Sequence, residues 1–229
     1  MKIIIITLHF IGLKILNMKR LFIKFFLYQF RIINRYRRKK YGEPKTVDLE
    51  EKHFLNSSLI PDRITLLNLL PKNSVCSEIG VDEGIFSNEI IKISNPKEIY
   101  LIDFWEGSQE HQKKHQRVIE KFKNDNCVKI IKDDSVKAAD NFKDHFFDFI
   151  YLDTSKTYDQ TLSELMAYKD KIKKTGYICG HDYTEGSWIN LTRWRVKEAV
   201  RFFCVKEGWR FVYLTQEKNG YESYCITRI

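Results

Sequence analysis

The chain has 229 residues, enough for one domain of ordinary size plus an appendage. Its 43% apolar content excludes a disordered chain, and five cysteines (Cys76, Cys127, Cys179, Cys204, Cys225) without C-x-x-C spacing argue against a zinc site or disulfide framework and for a reducing cytoplasm. The net charge of +9 is uneven: residues 1–45 hold twelve of the 39 Lys and Arg and one of the 30 acids, Glu43, while the remaining 27 basic and 29 acidic residues nearly cancel, which argues against a basic nucleic-acid groove around any site.

Two parts are therefore expected, a basic apolar segment over 1–45 and a globular domain over 46–229. Ile3 to Leu13 is an uncharged run of eleven residues, short of the ~20 that span a bilayer. From Met18 to Arg38 the pattern is helical. At about 100° per residue, Arg20, Lys24, Arg31, Arg35 and Arg38 share one side, while Phe22, Phe26, Phe30 and Ile33 gather opposite. Such a helix can lie peripherally on the inner face of a membrane through residues 18–40, with Tyr36-Arg37-Arg38-Lys39-Lys40 favouring anionic lipid. The alternatives are a helix that packs its phenylalanines over the main domain and one that spans the membrane.

Gly42-Glu43-Pro44 breaks the helix. Residues 48–60 are expected as a short helix or cover, and Pro61-Asp62 opens a helix to Leu70. Strands and helices then alternate. The strands are Val75–Val81, Glu98–Asp103, Val128–Lys132, Phe146–Asp153 and Tyr177–Gly180. The helices are Ile85–Ile93, Gln109–Phe122, Val136–Phe142, Tyr158–Lys173 (capped by Thr157) and Arg195–Glu207. Short apolar strands alternating with amphipathic helices predict an α/β fold, a doubly wound, Rossmann-like, mostly parallel sheet covered on both faces. At the end, Arg210–Thr215 and Ser223–Arg228 flank Gln216-Glu217-Lys218-Asn219-Gly220. Its Asn-Gly signals an antiparallel hairpin.

The most informative stretch is Glu78-Ile79-Gly80-Val81-Asp82-Glu83-Gly84, between the first strand of this series and its helix, followed 19 residues after Gly84 by Asp103 at the end of the next strand. Glycines let backbone turn beside a ligand, and a carboxylate so placed can bind a ribose diol. A dinucleotide fingerprint would need glycine at Asp82, where the backbone approaches a pyrophosphate. E-x-G-x-x-x-G with the later acid instead resembles the class I S-adenosylmethionine-dependent methyltransferases, whose cofactor is cationic and tolerates acidic neighbours. The hairpin-terminated sheet is the arrangement of that family too.

Ligands of open α/β sheets sit beyond the carboxyl ends of the strands, and here these ends carry Glu78, Asp103, Asp134-Ser135, Asp153 and His181-Asp182-Tyr183. Phe147–Tyr158, Gly176–Tyr183 and the Val196–Phe203 helix resemble segments of one subgroup, small-molecule O-methyltransferases that include sugar O-methyltransferases of macrolide biosynthesis; the resemblance covers about residues 74–229. It implies that Glu78, Gly80 and Gly84 shape the methionine end of the cofactor pocket, that Asp103 takes the ribose hydroxyls, and that Asp134 and Ser135 border the adenine. Metal-dependent relatives hold a divalent ion, usually magnesium, on the carboxylate matching Asp153 and an acidic pair matching positions 181 and 182, and place a histidine base at position 156. This chain has Lys156 and His181 instead. Asp153 and Asp182 remain as metal ligands, and Lys156 and His181 compete for the role of base. Metal-assisted transfer, metal-free transfer and lost activity all stay open. Trp105, Tyr158, Tyr183, Trp188 and Trp194 are candidates to stack on an acceptor, or simply pack against their own helices. The expectation is a methyltransferase of a small hydroxylated acceptor, not of nucleic acid; the competing one is an impaired methyltransferase-like domain serving as a membrane-associated scaffold.

Overall fold

The computed structural model describes residues 18–36, 47–187 and 192–229. The apolar run 3–13, the cluster 37–40, the break at 42–44 and Trp188 lie outside the described residues. The chain divides into two units, Met1–Lys45 and Thr46–Ile229. In the first, residues 18–36 are helical (α1). Among the described residues no helix is long and apolar enough to cross a membrane.

The second unit is built on an eight-stranded sheet. In chain order its strands are β1 (Ser58–Ile60), β2 (Val75–Ile79), β3 (Glu98–Asp103), β4 (Val128–Lys132), β5 (Phe147–Leu152), β6 (Ile172–Gly180), β9 (Trp209–Thr215) and β10 (Tyr224–Arg228). β7 (Gly186–Ser187) and β8 (Thr192–Arg193) form a separate two-stranded ladder. The sheet order is β1-β9-β10-β6-β5-β2-β3-β4. All pairings are parallel except those of β10, which runs antiparallel to β6 and β9. The Rossmann-like fold and the closing hairpin are as the alternation and Asn219-Gly220 predict.

The strands have side chains on both faces, and both faces are apolar. Phe149 and Tyr151 of β5, with Cys76, Ile99 and Leu101, meet α2 (Arg63–Leu69), α3 (Ile85–Ser94) and α4 (Gln109–Phe122). Ile150 and Leu152, one residue out of phase, meet α5 (Tyr158–Tyr168), α6 (Val196–Glu207) and the 3-10 turn Lys137–Asn141. The period of two along each strand thus delivers one row of side chains to each helical layer.

Three expectations need correction. Residues 48–60 supply only a 3-10 turn, Glu51–His53, followed by β1, an edge strand parallel to β9. Val136–Phe142 forms no α-helix and supplies only the 3-10 turn Lys137–Asn141. The helix expected to reach Lys173 ends at Tyr168, and β6 begins at Ile172.

Candidate active site

β2 lies between β3 and β5, so the chain winds away from it in opposite directions on its two sides. This is the topological switch point at which open sheets bind ligands. Just beyond it, Gly80 donates to the Ile102 carbonyl at 2.8 Å, and Asp153 donates to that of Ile79 at 2.8 Å. Gly80 has φ +93°, and a Cβ there would stand 2.2 Å from the Asp153 carbonyl oxygen. Its missing side chain therefore admits the neighbouring strand's backbone, which fixes Asp153 against the bend. Gly84, at φ +67°, heads α3, and its Cβ would meet the Phe122 ring at 2.7 Å.

Asp103 faces this bend. Its carboxylate accepts from the Asp82 amide at 2.8 Å and from the Trp105 amide at 3.3 Å. Trp105 in turn donates its indole N–H to the Asp82 carbonyl at 2.9 Å, so loop and acid are locked together. Glu78 is 2% exposed and accepts from the Ser87 hydroxyl. Burial pushes its pKa up to about 8, against the pull of that hydrogen bond. A carboxylate at the strand end, aimed at a glycine-flanked bend, fits a ribose-bearing cofactor.

Asp134 and Ser135 lie just past the end of β4. Asp134 is exposed and caps the 3-10 turn with its carboxylate, accepting from Val136 and Lys137 at 3.0 and 3.1 Å. Ser135 donates to buried Glu164 at 2.5 Å. Glu164 also accepts from Thr154 at 2.7 Å and Gln160 at 3.0 Å, and burial raises its pKa. This network ties the ends of β4 and β5 to α5.

One strand from the bend, the ends of β5 and β6 bring Asp153, Lys156, His181 and Asp182 together. Lys156 Nζ lies 2.5 Å from Asp153 Oδ1 and 2.7 Å from Asp182 Oδ2. His181 Nδ1 lies 3.3 Å from Asp182 Oδ1 and 3.6 Å from Asp153 Oδ2. Burial pulls the Lys156 pKa down, but the charges of Asp153 and Asp182 outweigh it and hold the ammonium above the ordinary lysine range. Burial also works against the Asp182 carboxylate, yet the His181 hydrogen bond and the Lys156 charge keep its pKa low. Asp182 sits at φ +59°, a left-handed conformation that aspartate tolerates.

Asp153, His181 and Asp182 offer ligand atoms within 4.8 Å of one another, a spacing open to a metal ion. The Lys156 ammonium, however, already bonds both carboxylates. As arranged, the residues do not fit a divalent ion.

The aromatic side chains mostly pack. Trp105 is buried and stacks on His115 at 4.6 Å, and Tyr183 meets Phe211 and Tyr224. Trp194 meets Tyr221, and Tyr158 lies between Phe202 and the Arg195 guanidinium. Sequence reasoning missed Ser87, Glu164 and Arg63, whose guanidinium stands 4.4 Å above the Phe86 ring. Glu164 had a signal: it falls among Thr161, Leu165 and Tyr168 on the buried face of α5.

A methyltransferase-domain family model matches residues 77–183, which contain the bend, Asp103 and the whole polar cluster. No curated protein matches the chain. Several solved structures share its fold. A SAM-dependent methyltransferase from Aquifex aeolicus is 15% identical with a TM-score of 0.56, covering 85% of this chain and 98% of its own. An rRNA methylase from Streptococcus thermophilus is 11% identical (TM-score 0.53; 73% and 94% covered). M. capricolum TrmK, solved with S-adenosyl-homocysteine, is 16% identical (TM-score 0.52; 72% and 67% covered). Residues 77–183 thus match a methyltransferase-domain model, and the chain shares the fold of the class I S-adenosylmethionine-dependent methyltransferases.

Proposed function

We propose that the protein is an S-adenosylmethionine-dependent O-methyltransferase of a small hydroxylated acceptor such as a sugar or glycan precursor. The observation that carries this is His181, held by Asp182 and Asp153 one strand from the cofactor bend. With both carboxylates on the Nδ1 side, the imidazole proton belongs on Nδ1, and Nε2 is left as a proton acceptor. This is the orienting logic of a carboxylate–histidine pair. S-adenosylmethionine supplies a methyl group on a cationic sulfur. Asp103 holds its ribose hydroxyls, the Gly80–Gly84 bend and Glu78 shape the methionine end, and the Asp134–Ser135 backbone borders the adenine. His181 Nε2 takes the proton of the attacking hydroxyl, while Asp182 and Asp153 stabilise the imidazolium that results.

The acceptor is small and not a nucleic acid, because residues 46–229 carry net charge −2 and so lack the excess of basic residues that binding a phosphate backbone calls for. The protein works at the cytoplasmic face of a membrane, reached through the basic side of residues 18–40. Anionic vesicles should retain the full chain and release one beginning at Lys45; equal retention ends that part of the proposal. For catalysis the test is transfer of labelled methyl from the cofactor to a panel of sugars and other hydroxylated molecules, beside total RNA. Label should enter a small acceptor and fall roughly a hundredfold in His181→Ala. Label in RNA would refute the acceptor class, and cofactor binding without turnover on any acceptor would favour a scaffold.

A further inference from the structure

We infer that Lys156 is a tethered replacement for the divalent ion of metal-dependent relatives, so that this site works without metal and needs only a single acceptor hydroxyl. The inference rests on the O-methyltransferase reading above. Three observations meet at this side chain. Its Nζ lies 2.5 Å from Asp153 and 2.7 Å from Asp182, between the two carboxylates on which an ion would be held. Its backbone is fixed from the far side of the site, where the Arg195 amide donates to the Lys156 carbonyl at 2.9 Å. Thr157 then caps α5, so the lysine leaves a fully anchored turn.

The charge arithmetic favours the same conclusion. Two carboxylates this close repel unless a cation lies between them. An ammonium is a compact point charge with three donors. Two are spent on Asp153 and Asp182, and no described residue takes the third. The side chain keeps 24% exposure, so that third N–H can reach an acceptor oxygen. It would stabilise the negative charge that grows there as His181 removes the proton.

A metal and an ammonium differ in what they ask of the acceptor. An ion with open positions chelates two neighbouring substrate oxygens, whereas one remaining N–H bonds one. Acceptors with an isolated hydroxyl should therefore serve as well as vicinal diols.

The full chain is titrated with Mn2+ by calorimetry and by electron paramagnetic resonance, as wild type, Lys156→Ala and Lys156→Met, each checked for fold by circular dichroism. Wild type should bind no Mn2+ up to about 1 mM, and its methyl transfer should be unchanged by EDTA. Removing the ammonium should open the site: the lysine variants gain one Mn2+ at roughly 0.1 mM or tighter, and the gain disappears when Asp153→Ala is added. Metal-free transfer in Lys156→Ala should fall at least about a hundredfold, with partial recovery on adding Mn2+. One equivalent of Mn2+ on wild type, loss of turnover in EDTA, or a folded Lys156→Ala that gains no metal would each overturn the inference. The manganese titrations need no acceptor, so a failure of wild type to methylate anything would sink the O-methyltransferase reading and leave this one separately decided.

Discussion

Adding a single methyl group at Gly80 tests how the site is built. A Cβ there meets the Asp153 carbonyl oxygen at 2.2 Å, the carbonyl carbon at 2.6 Å and the Thr154 nitrogen at 3.0 Å. All three are backbone atoms in the neighbouring strand end, so nothing can rotate away. The φ of +93° adds strain of about 1–2 kcal/mol for any L side chain, and forcing packed backbone apart adds about 1–3 kcal/mol. Gly80→Ala should therefore cost about 2–5 kcal/mol. Gly84→Ala is the internal control: its φ is also positive, but its Cβ meets a Phe122 ring edge at 2.7 Å, which can tilt. About 1–2 kcal/mol is expected there. Urea unfolding of both variants gives the difference directly, and the melting temperature should fall by roughly 2–4 °C per kcal/mol in a domain of this size. If Gly80→Ala unfolds within about 1 kcal/mol of wild type, or Gly84→Ala is the worse of the two, the close approach of β2 to β5 is not what fixes Asp153.

Glu78 predicts a pH dependence. Its pKa rises from an ordinary 4.5 to about 8 on folding, so its contribution to stability is fully present below about pH 4.5 and is lost as pH rises through about 8. Wild type should lose on the order of 5 kcal/mol over that window relative to Glu78→Gln, measured by denaturant unfolding at several pH values. Parallel curves for the two proteins would contradict it. Cofactor binding near pH 7 should also release a proton if the cofactor's ammonium group meets Glu78, seen as a binding heat that varies with buffer ionisation enthalpy; a buffer-independent heat would place that group elsewhere. Glu164→Ala strips hydrogen bonds from Ser135, Thr154 and Gln160 in a buried network and should destabilise the domain by about 2–4 kcal/mol. Glu164→Gln should cost much less, and equal losses would show that packing, not bonding, sets the penalty.

Much of the fold was legible because it is written in local periodicity. The bounds of β3, α4 and β4 follow directly from their residue patterns, and Asn219-Gly220 marks the one hairpin that turns the sheet antiparallel. β1 was not legible. It is three residues long, and its existence depends on Ser58–Ile60 meeting Tyr213–Thr215 at the other end of the chain. The start of β6 was hidden for a similar reason: Lys173, Lys174 and Gly176 carry no strand signal, and the neighbouring β5 imposes the conformation. In the site, the strand-end carboxylates could be found by position, since each stands where a parallel sheet exposes ligand-binding groups. Their partners could not. That Asp134 caps a turn, that Ser135 bonds Glu164, and that Lys156 lies between Asp153 and Asp182 are all settled by side-chain direction, which spacing alone does not encode.

The account stands on Asp103 and the Gly80–Gly84 bend gripping a nucleoside. Calorimetric titration of the full chain with S-adenosylmethionine, wild type against Asp103→Ala, addresses that most directly. One equivalent should bind wild type, and affinity should fall about a hundredfold in the variant as two charge-assisted hydrogen bonds to the ribose are lost. No heat with wild type, or unchanged affinity in a folded Asp103→Ala, would contradict it.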